Sequence, residues 1–276
     1  MTNNITVIIV SFKSKKTIFN CIKSLNQFDK ILILDNSNDK ELKKKIKKKF
    51  SKVKFFLSKR NIGYGVGYNF LLKKVKTPYA LLMTPDTSFK KGTLKKFLYS
   101  LKEFSNNYSL MGPYDQNKKF VVGNKKIINK ANLILGFSML INLKNIPKNY
   151  FFDKNIFLYL EDIDLCKRLI NDNQKIYVNK SFVVNHLGAK SSNLSKHEFD
   201  EIRNWHWMWS QYYFFKKYNG NFLAIIRFLP KLIMIWGKYY ILCLFQNENR
   251  NRYKYRAKGL FSSMIGKKSY LRPRIL

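Results

Sequence analysis

A chain of 276 residues that is 46% hydrophobic and 16% aromatic buries one sizeable core with an appendage, or two small domains, and is not wholly disordered. Its 53 Lys and Arg against 16 Asp and Glu give a formal charge of +37, which calls for a polyanionic neighbourhood: nucleic acid, anionic lipid or phosphorylated substrate. The lysines are spread over nearly every segment, so lysine-rich composition accounts for part of that excess. Cys21, Cys166 and Cys243 are an odd number without metal-like spacing, and read as reduced, cytosolic thiols.

The opening MTNNITVIIVSF has a short apolar run and no basic n-region, so it reads as a first strand and not as a signal peptide. The β-branched run ITVIIVS (5–11) is the pattern of a strand buried on both faces. Ile18, Ile22 and Leu25 recur at helical spacing, and KILILDNS (30–37) is a second buried strand. Leu42, Ile46, Phe50 and Val53 mark one face of the next helix, with Asn38 and Glu41 spaced as a capping box. The lysines of KKKIKKKF in that helix read as a solvated face, because the apolar period is kept. VKFFLSKR (53–60) and YALLMTPD (79–86) follow as strands. Repeated β-α units predict a parallel sheet with helices on both faces, which binds ligands at its strand C-terminal ends. Further on, GTLKKFLYSLKEF (92–104) and DIDLCKRLIND (162–172) read as helices, and FVVGN (120–124), LGFSMLIN (135–142) and KIYVNKSF (175–182) as strands. Strand signals end near residue 195, which predicts a domain over 1–195 and a basic helical extension over 196–276.

Four polar features stand out on this frame. Asp35 in LDNSND (34–39) closes the second strand, where a carboxylate serves an Asx turn or the edge of a ribose or base. NIGYGVGYN (61–69) alternates Gly63, Gly65 and Gly67 between Asn61 and Asn69, a backbone open to close ligand approach or to a flexible turn. Its spacing, and its place after the third strand, differ from the dinucleotide fingerprint. Asp86 ends the apolar strand of LLMTPDTSF (81–89), a setting for a divalent metal that also holds phosphates, or for a turn after proline. YLEDIDLCKR (159–168) gathers Glu161, Asp162 and Asp164, more carboxylates than helix capping requires.

In ordered succession TVIIVSFKS, LDNSND, NIGYGVGYN, TPD, GFSMLI, YLEDIDLCKR and VNHLGAKSS resemble the family 2 glycosyltransferases, most of all the rhamnosyltransferase-like members, over roughly residues 5 to 192. The resemblance implies a GT-A fold, an α/β Rossmann-like sheet with helices on both faces. It implies inverting transfer of a sugar, rhamnose among the possibilities, from a nucleotide diphosphate to a glycan or lipid-linked glycan. Donor contacts are implied for Ser11, Asp35, Asn61, Gly63, Gly67, Asn69, Asp86 and Arg168. A divalent metal, Mg2+ or Mn2+, is implied at Asp86 and His186, with Thr84 reducing the D-x-D motif. His186 by itself reads as a structural or hydrogen-bonding residue. The resemblance makes Asp162 the base that activates the acceptor, with Glu161 and Asp164 orienting it or holding the acceptor. Arg168 lies off the helix face of Asp162 by roughly 120–130 degrees, as a structural or phosphate-side partner.

The tail begins with the aromatic segment 198–218, where Trp205, Trp207 and Trp209 suit core packing, sugar stacking or a lipid interface. In NFLAIIRFLPKLIMIWGKYYILCLF (221–245) the charges Arg227, Lys231 and Lys238 fall within roughly 40 degrees on a helical wheel, and Pro230 and Gly237 are candidate breaks. Charges on one face predict a helix lying in the membrane interface rather than crossing it. Residues 250–276 add nine Lys or Arg and no acid. A cytoplasmic enzyme, peripheral on the inner face of the cell membrane, is the expectation. The rivals are a basic nucleic-acid-binding protein, for which no recognisable module is present, and an inactive membrane scaffold of transferase fold.

Overall fold

Residues 2–104, 107–114, 121–122, 126–147, 150–188 and 191–273 are described by a computed structural model. The chain divides into two compact units, Met1–Asp153 with Glu161–Asn193, and Lys154–Leu160 with Leu194–Arg274.

In the first unit the apolar runs become strands and the periodic segments become helices. In chain order these are β1 (Ile5–Ser11), α1 (Ile18–Lys23), β2 (Ile31–Asp35), α2 (Lys40–Lys49), β3 (Val53–Leu57), α3 (Tyr64–Leu72), β4 (Tyr79–Met83) and β5 (Thr87–Phe89). They continue with α4 (Thr93–Glu103), β6 (Leu110–Pro113), β7 (Val121–Val122), β8 (Ile128–Ala131), β9 (Ser138–Asn142), α5 (Glu161–Asn171), β10 (Ile176–Asn179) and β11 (Val184–His186). Of the expected strand FVVGN, positions 120, 123 and 124 lie outside the described residues, as do 189 and 190 of NHLGAKSS.

Among the described residues, nine strands form one sheet in the order β3-β2-β1-β4-β9-β6-β10-β8-β7, and β11 pairs with β5 in a separate ribbon. The first four strands are parallel, as β-α repeats require. β9 then runs antiparallel to both β4 and β6, and β10 antiparallel to β8, so the sheet is mixed and not parallel throughout. β9 pairs with β4 and β6, neither of them adjacent to it in sequence, so the local β-α repeat does not set its direction.

β1 is buried at every residue, and its alternation feeds two cores. Val7 and Ile9 pack with Ile18 and Ile22 of α1, Leu42 and Ile46 of α2, and Phe97 of α4. Ile8 and Val10 pack on the other face with Tyr68 and Leu71 of α3 and Leu165 and Leu169 of α5. The α2 cap lies one residue later than the spacing predicts. Asp39 accepts from the Leu42 amide at 2.8 Å, whereas Asn38 sits in the left-handed region at φ 56. Phe50 ends that helix and Val53 already belongs to β3.

The second unit holds α6 (Lys196–Asn219), α7 (Asn221–Leu244) and α8 (Arg250–Met264). Met208, Tyr212, Phe228, Leu232, Ile235 and Leu260 form its core. Gly259 lets α8 meet α6, since a Cβ there would collide with the Trp205 carbonyl. Trp205 and Trp209 are core residues, while Trp207 is 40% exposed. His206, buried, contacts the Leu271 carbonyl at 2.8 Å and the Ser269 hydroxyl at 3.0 Å, and burial lowers its pKa to about 3. α7 runs unbroken through Pro230 and Gly237. Both are exposed, so the carbonyl that Pro230 leaves without an N–H partner is not sealed in a core. No helix among the described residues is long and apolar enough to cross a membrane.

Candidate active site

Strand ends gather the polar side chains. Ser11 and Asp35 lie opposite each other at the ends of β1 and β2. The Ser11 hydroxyl donates to Asp35 Oδ1 at 2.8 Å, and Ser37 and the Asp39 amide donate to the same carboxylate. Asp35 is fully buried, and burial raises its pKa against those donors. The two side chains expected to touch the donor are thus spent on the turn. Their neighbour Asn36, which the sequence reading passed over, donates its amide to the Gly63 carbonyl at 3.1 Å. Its buried Oδ1 has no hydrogen-bond partner, an acceptor left open beside the strand ends.

In NIGYGVGYN (61–69), residues 61–63 are the turn that leads into α3 and residues 64–69 are already helix. Gly63 sits at φ 90, which favours glycine, and its amide donates to Asn61 Oδ1 at 3.0 Å. The glycines that follow serve close packing within the protein and not ligand approach. A Cβ on Gly65 would lie 2.8 Å from Phe152 Cβ, and one on Gly67 would lie 2.9 Å from Val10 Cγ1. Asn69, expected at the donor, holds the Phe152 backbone with both ends: Nδ2 donates to the carbonyl at 2.7 Å and Oδ1 accepts the amide at 3.0 Å.

The ribbon of β5 and β11 sets His186 opposite Thr87, one residue from Asp86. His186 Nε2 lies 3.5 Å from Asp86 Oδ2, and its ring stacks on Phe137 at 4.5 Å. Asp86 is only 4% exposed, yet neither carboxylate oxygen has a hydrogen-bond partner. Burial acts to raise its pKa, but His186 and the Thr84 hydroxyl outweigh it and hold the carboxyl below its ordinary value. An orphaned, ionised carboxylate beside an imidazole fits a divalent cation. Thr84 is no third ligand, because its hydroxyl pairs with Thr87 at 2.8 Å. Among the described residues, no group of three or more His, Cys, Asp or Glu could hold a metal, so the pair leaves further positions to a substrate.

The acidic cluster opens α5. Tyr159 and Leu160 lead into it at φ 71 and 70, two consecutive left-handed residues that are not glycine. Asp162 Oδ2 accepts from the Gly136 amide at 2.8 Å, and the Gly136 carbonyl accepts from the Tyr64 hydroxyl. A side chain at 136 would clash, since a Cβ there lies 2.7 Å from the Tyr64 hydroxyl oxygen. Burial, then Tyr68, Glu161 and Asp162, push the Tyr64 pKa up, which keeps it a neutral donor. Tyr64 and Gly136 were legible only as letters inside quoted motifs. Glu161 is buried, its Oε2 has no partner, and burial followed by the charge of Asp162 raises it to about 8.

Asp164 and Arg168 do not join this group. Arg168 Nε donates to the fully buried Asp164 at 2.8 Å, and its other nitrogens donate to the Tyr150 and Phe151 carbonyls. Arg168 is therefore a structural clamp and not a phosphate ligand, and Asp164 its counter-charge and not an acceptor contact.

A mixed sheet with its polar side chains at strand ends is the GT-A glycosyltransferase architecture, and solved structures of that class superpose on it. The model of glycosyl transferase family 2 matches residues 6–164, more than half of the chain, and the protein belongs to that family. It is similar to the low-salt glycan biosynthesis hexosyltransferase Agl10 of Haloferax volcanii, 23% identical over 202 residues that cover 64% of each chain, just under two thirds. In structure it is similar to the mannosyltransferase PcManGT of Pyrobaculum calidifontis in complex with GDP-Man and Mn2+, with a TM-score of 0.56, 8% identity, and coverage of 96% of this chain and 88% of that one. It is also similar to GalNAc-T7 with UDP, GalNAc and Mn2+, with a TM-score of 0.51 and 11% identity, over 66% of this chain and 43% of that one.

Proposed function

We propose that the protein is a metal-dependent, inverting hexosyltransferase that moves a sugar from a nucleoside diphosphate to a glycan or lipid-linked glycan in cell-surface polysaccharide biosynthesis. The observation that carries this is the buried Asp86 carboxylate, without a hydrogen-bond partner and held ionised beside His186 at the strand ends of a family 2 glycosyltransferase. A divalent ion held there would offset the charge that grows on a diphosphate leaving group. Asp162, steadied by the Gly136 amide, takes the proton of the acceptor hydroxyl as its oxygen attacks the anomeric carbon opposite the leaving group. The relatives' names support a hexose donor; rhamnose is suggested by the motif resemblance alone.

Melting temperatures measured with a panel of nucleotide sugars, with and without Mn2+ or Mg2+, are expected to rise for one donor class and only with the ion present. Equal melting temperatures across the panel would contradict the donor site.

Membrane association is part of the same proposal. Phe222, Ile226, Leu229, Ile233, Tyr240 and Leu244 form an exposed apolar stripe along α7. Ala224, Phe228, Leu232 and Ile235 face the helical core instead, and Arg227, Lys231 and Lys238 lie between the two faces. An apolar stripe edged by cations matches an anionic bilayer, with each basic residue near the surface contributing about 1 kcal/mol. The protein is expected to float with phosphatidylglycerol vesicles, and Leu229→Asp with Ile233→Asp to weaken that binding at least about tenfold. Equal flotation of the two proteins would remove α7 from the proposal.

A further inference from the structure

Outside the transferase site, the cavity with the most definite chemistry lies within the helical unit. Its volume is about 230 Å³, and Arg203, Arg252 and Arg256 line it with Asp200, Tyr159 and Trp207. α6 supplies Arg203. α8 supplies Arg252 and Arg256, four residues apart and therefore on one face. Buried Asn204 completes the lining and aims Arg256: its Oδ1 accepts from Arg256 Nε at 2.8 Å, while its amide donates to the Asp200 carbonyl at 2.6 Å. Trp207 and Tyr159 meet edge to face, ring centroids 5.6 Å apart, and form an aromatic wall.

The charges of this cavity are unbalanced. Among the described residues, none of the three guanidinium groups makes an ion pair, with Asp200 or any other carboxylate. Burial, and then the charges of Arg252 and Arg203, pull Arg256 below the ordinary guanidinium range. Three cations against one acid around a small space repel one another, and an anion between them relieves that repulsion.

We propose that this cavity binds a phosphate or diphosphate oxyanion, carried by a lipid head group or free in solution. Guanidinium forks match the oxygens of phosphate, and several converging on one point favour a multiply charged ion over a single carboxylate. The volume, about 230 Å³, accommodates a phosphate or diphosphate group. The assignment rests on the helical unit alone and is independent of the transferase reading.

The test is calorimetric titration of the full chain, at low salt and with EDTA, against inorganic pyrophosphate and against monomeric dihexanoyl phosphatidate. Wild type is expected to bind both, and Arg203→Gln with Arg252→Gln to weaken binding at least about tenfold. Both arginines are exposed, so an unchanged melting temperature is expected of that variant. Asp86→Asn, and Lys238→Gln on the exposed surface of α7, are expected to bind as wild type does. Tighter binding of phosphatidate than of pyrophosphate identifies a lipid head group, and the reverse order a soluble phosphate. No binding by wild type, no loss in the double arginine variant, or an equal loss in Lys238→Gln or Asp86→Asn overturns the proposal.

Discussion

Asp162→Asn is expected to lower the rate of sugar transfer by roughly 10²–10⁴-fold, the range for loss of a general base, with the donor KM nearly unchanged. An asparagine oxygen still accepts from the Gly136 amide, as Asp162 Oδ2 does at 2.8 Å, so the loop keeps its place while proton uptake is lost. Glu161→Gln is the informative companion. Burial raises Glu161 to about 8 from an ordinary 4.5, so at neutral pH it is protonated and puts no second negative charge beside Asp162. Glutamine copies that neutral form and is expected to retain at least about a tenth of the activity. The sign of the linked stability follows from the raised pKa: the folded state keeps a proton that the unfolded state releases near 4.5. Stability is fully present below that value and is lost as pH rises through about 8. Denaturation midpoints across that window are expected to fall in wild type and to flatten in Glu161→Gln. Turnover undiminished in Asp162→Asn would end the base assignment.

What the sequence disclosed and what it hid divide along physical lines. β1, β2 and β4 were legible because a strand covered on both faces leaves a continuous apolar run. The antiparallel entry of β9 was not, since pairing direction is decided by a neighbour distant in sequence. Glycines 63, 65 and 67 read as a turn because glycine is a poor helix former; Gly63 does turn the chain, at φ 90, but Gly65 and Gly67 lie in α3, packed against Phe152 and Val10, contacts invisible locally. The same blindness applies to Lys154–Leu160, which lies inside the predicted 1–195 domain but groups with the helical unit. At the site, the motif letters located the neighbourhood but not the division of labour. Asp35 and Arg168 look like ligand contacts until their partners are seen, whereas Asn36 gains interest only because its Oδ1 has none. Hydrogen-bond partners belong to the fold, so residue type alone could not separate a structural carboxylate such as Asp164 from Asp162 two positions earlier.

Asp86→Asn is expected to separate function from stability. Wild-type Asp86 holds a buried charge whose burial is outweighed by His186, 3.5 Å away, and by Thr84, since its pKa lies below the ordinary value and the folded state therefore favours the ionised form. Asparagine keeps the shape and removes the charge. In EDTA at neutral pH the variant loses that contribution and is expected to melt slightly below wild type. With Mn2+ and a nucleoside diphosphate the gap is expected to widen, because wild type gains stability from bound ligand and the variant does not. Sugar transfer is expected to fall by about 10³-fold or more, the scale of removing a principal source of electrostatic stabilisation of the leaving group. His186→Ala is expected to lose less, because the Asp86 carboxylate remains, with its oxygens freed from competition by the imidazole. A variant that shows the same Mn2+-dependent rise as wild type would mean that the carboxylate serves the fold and not a metal.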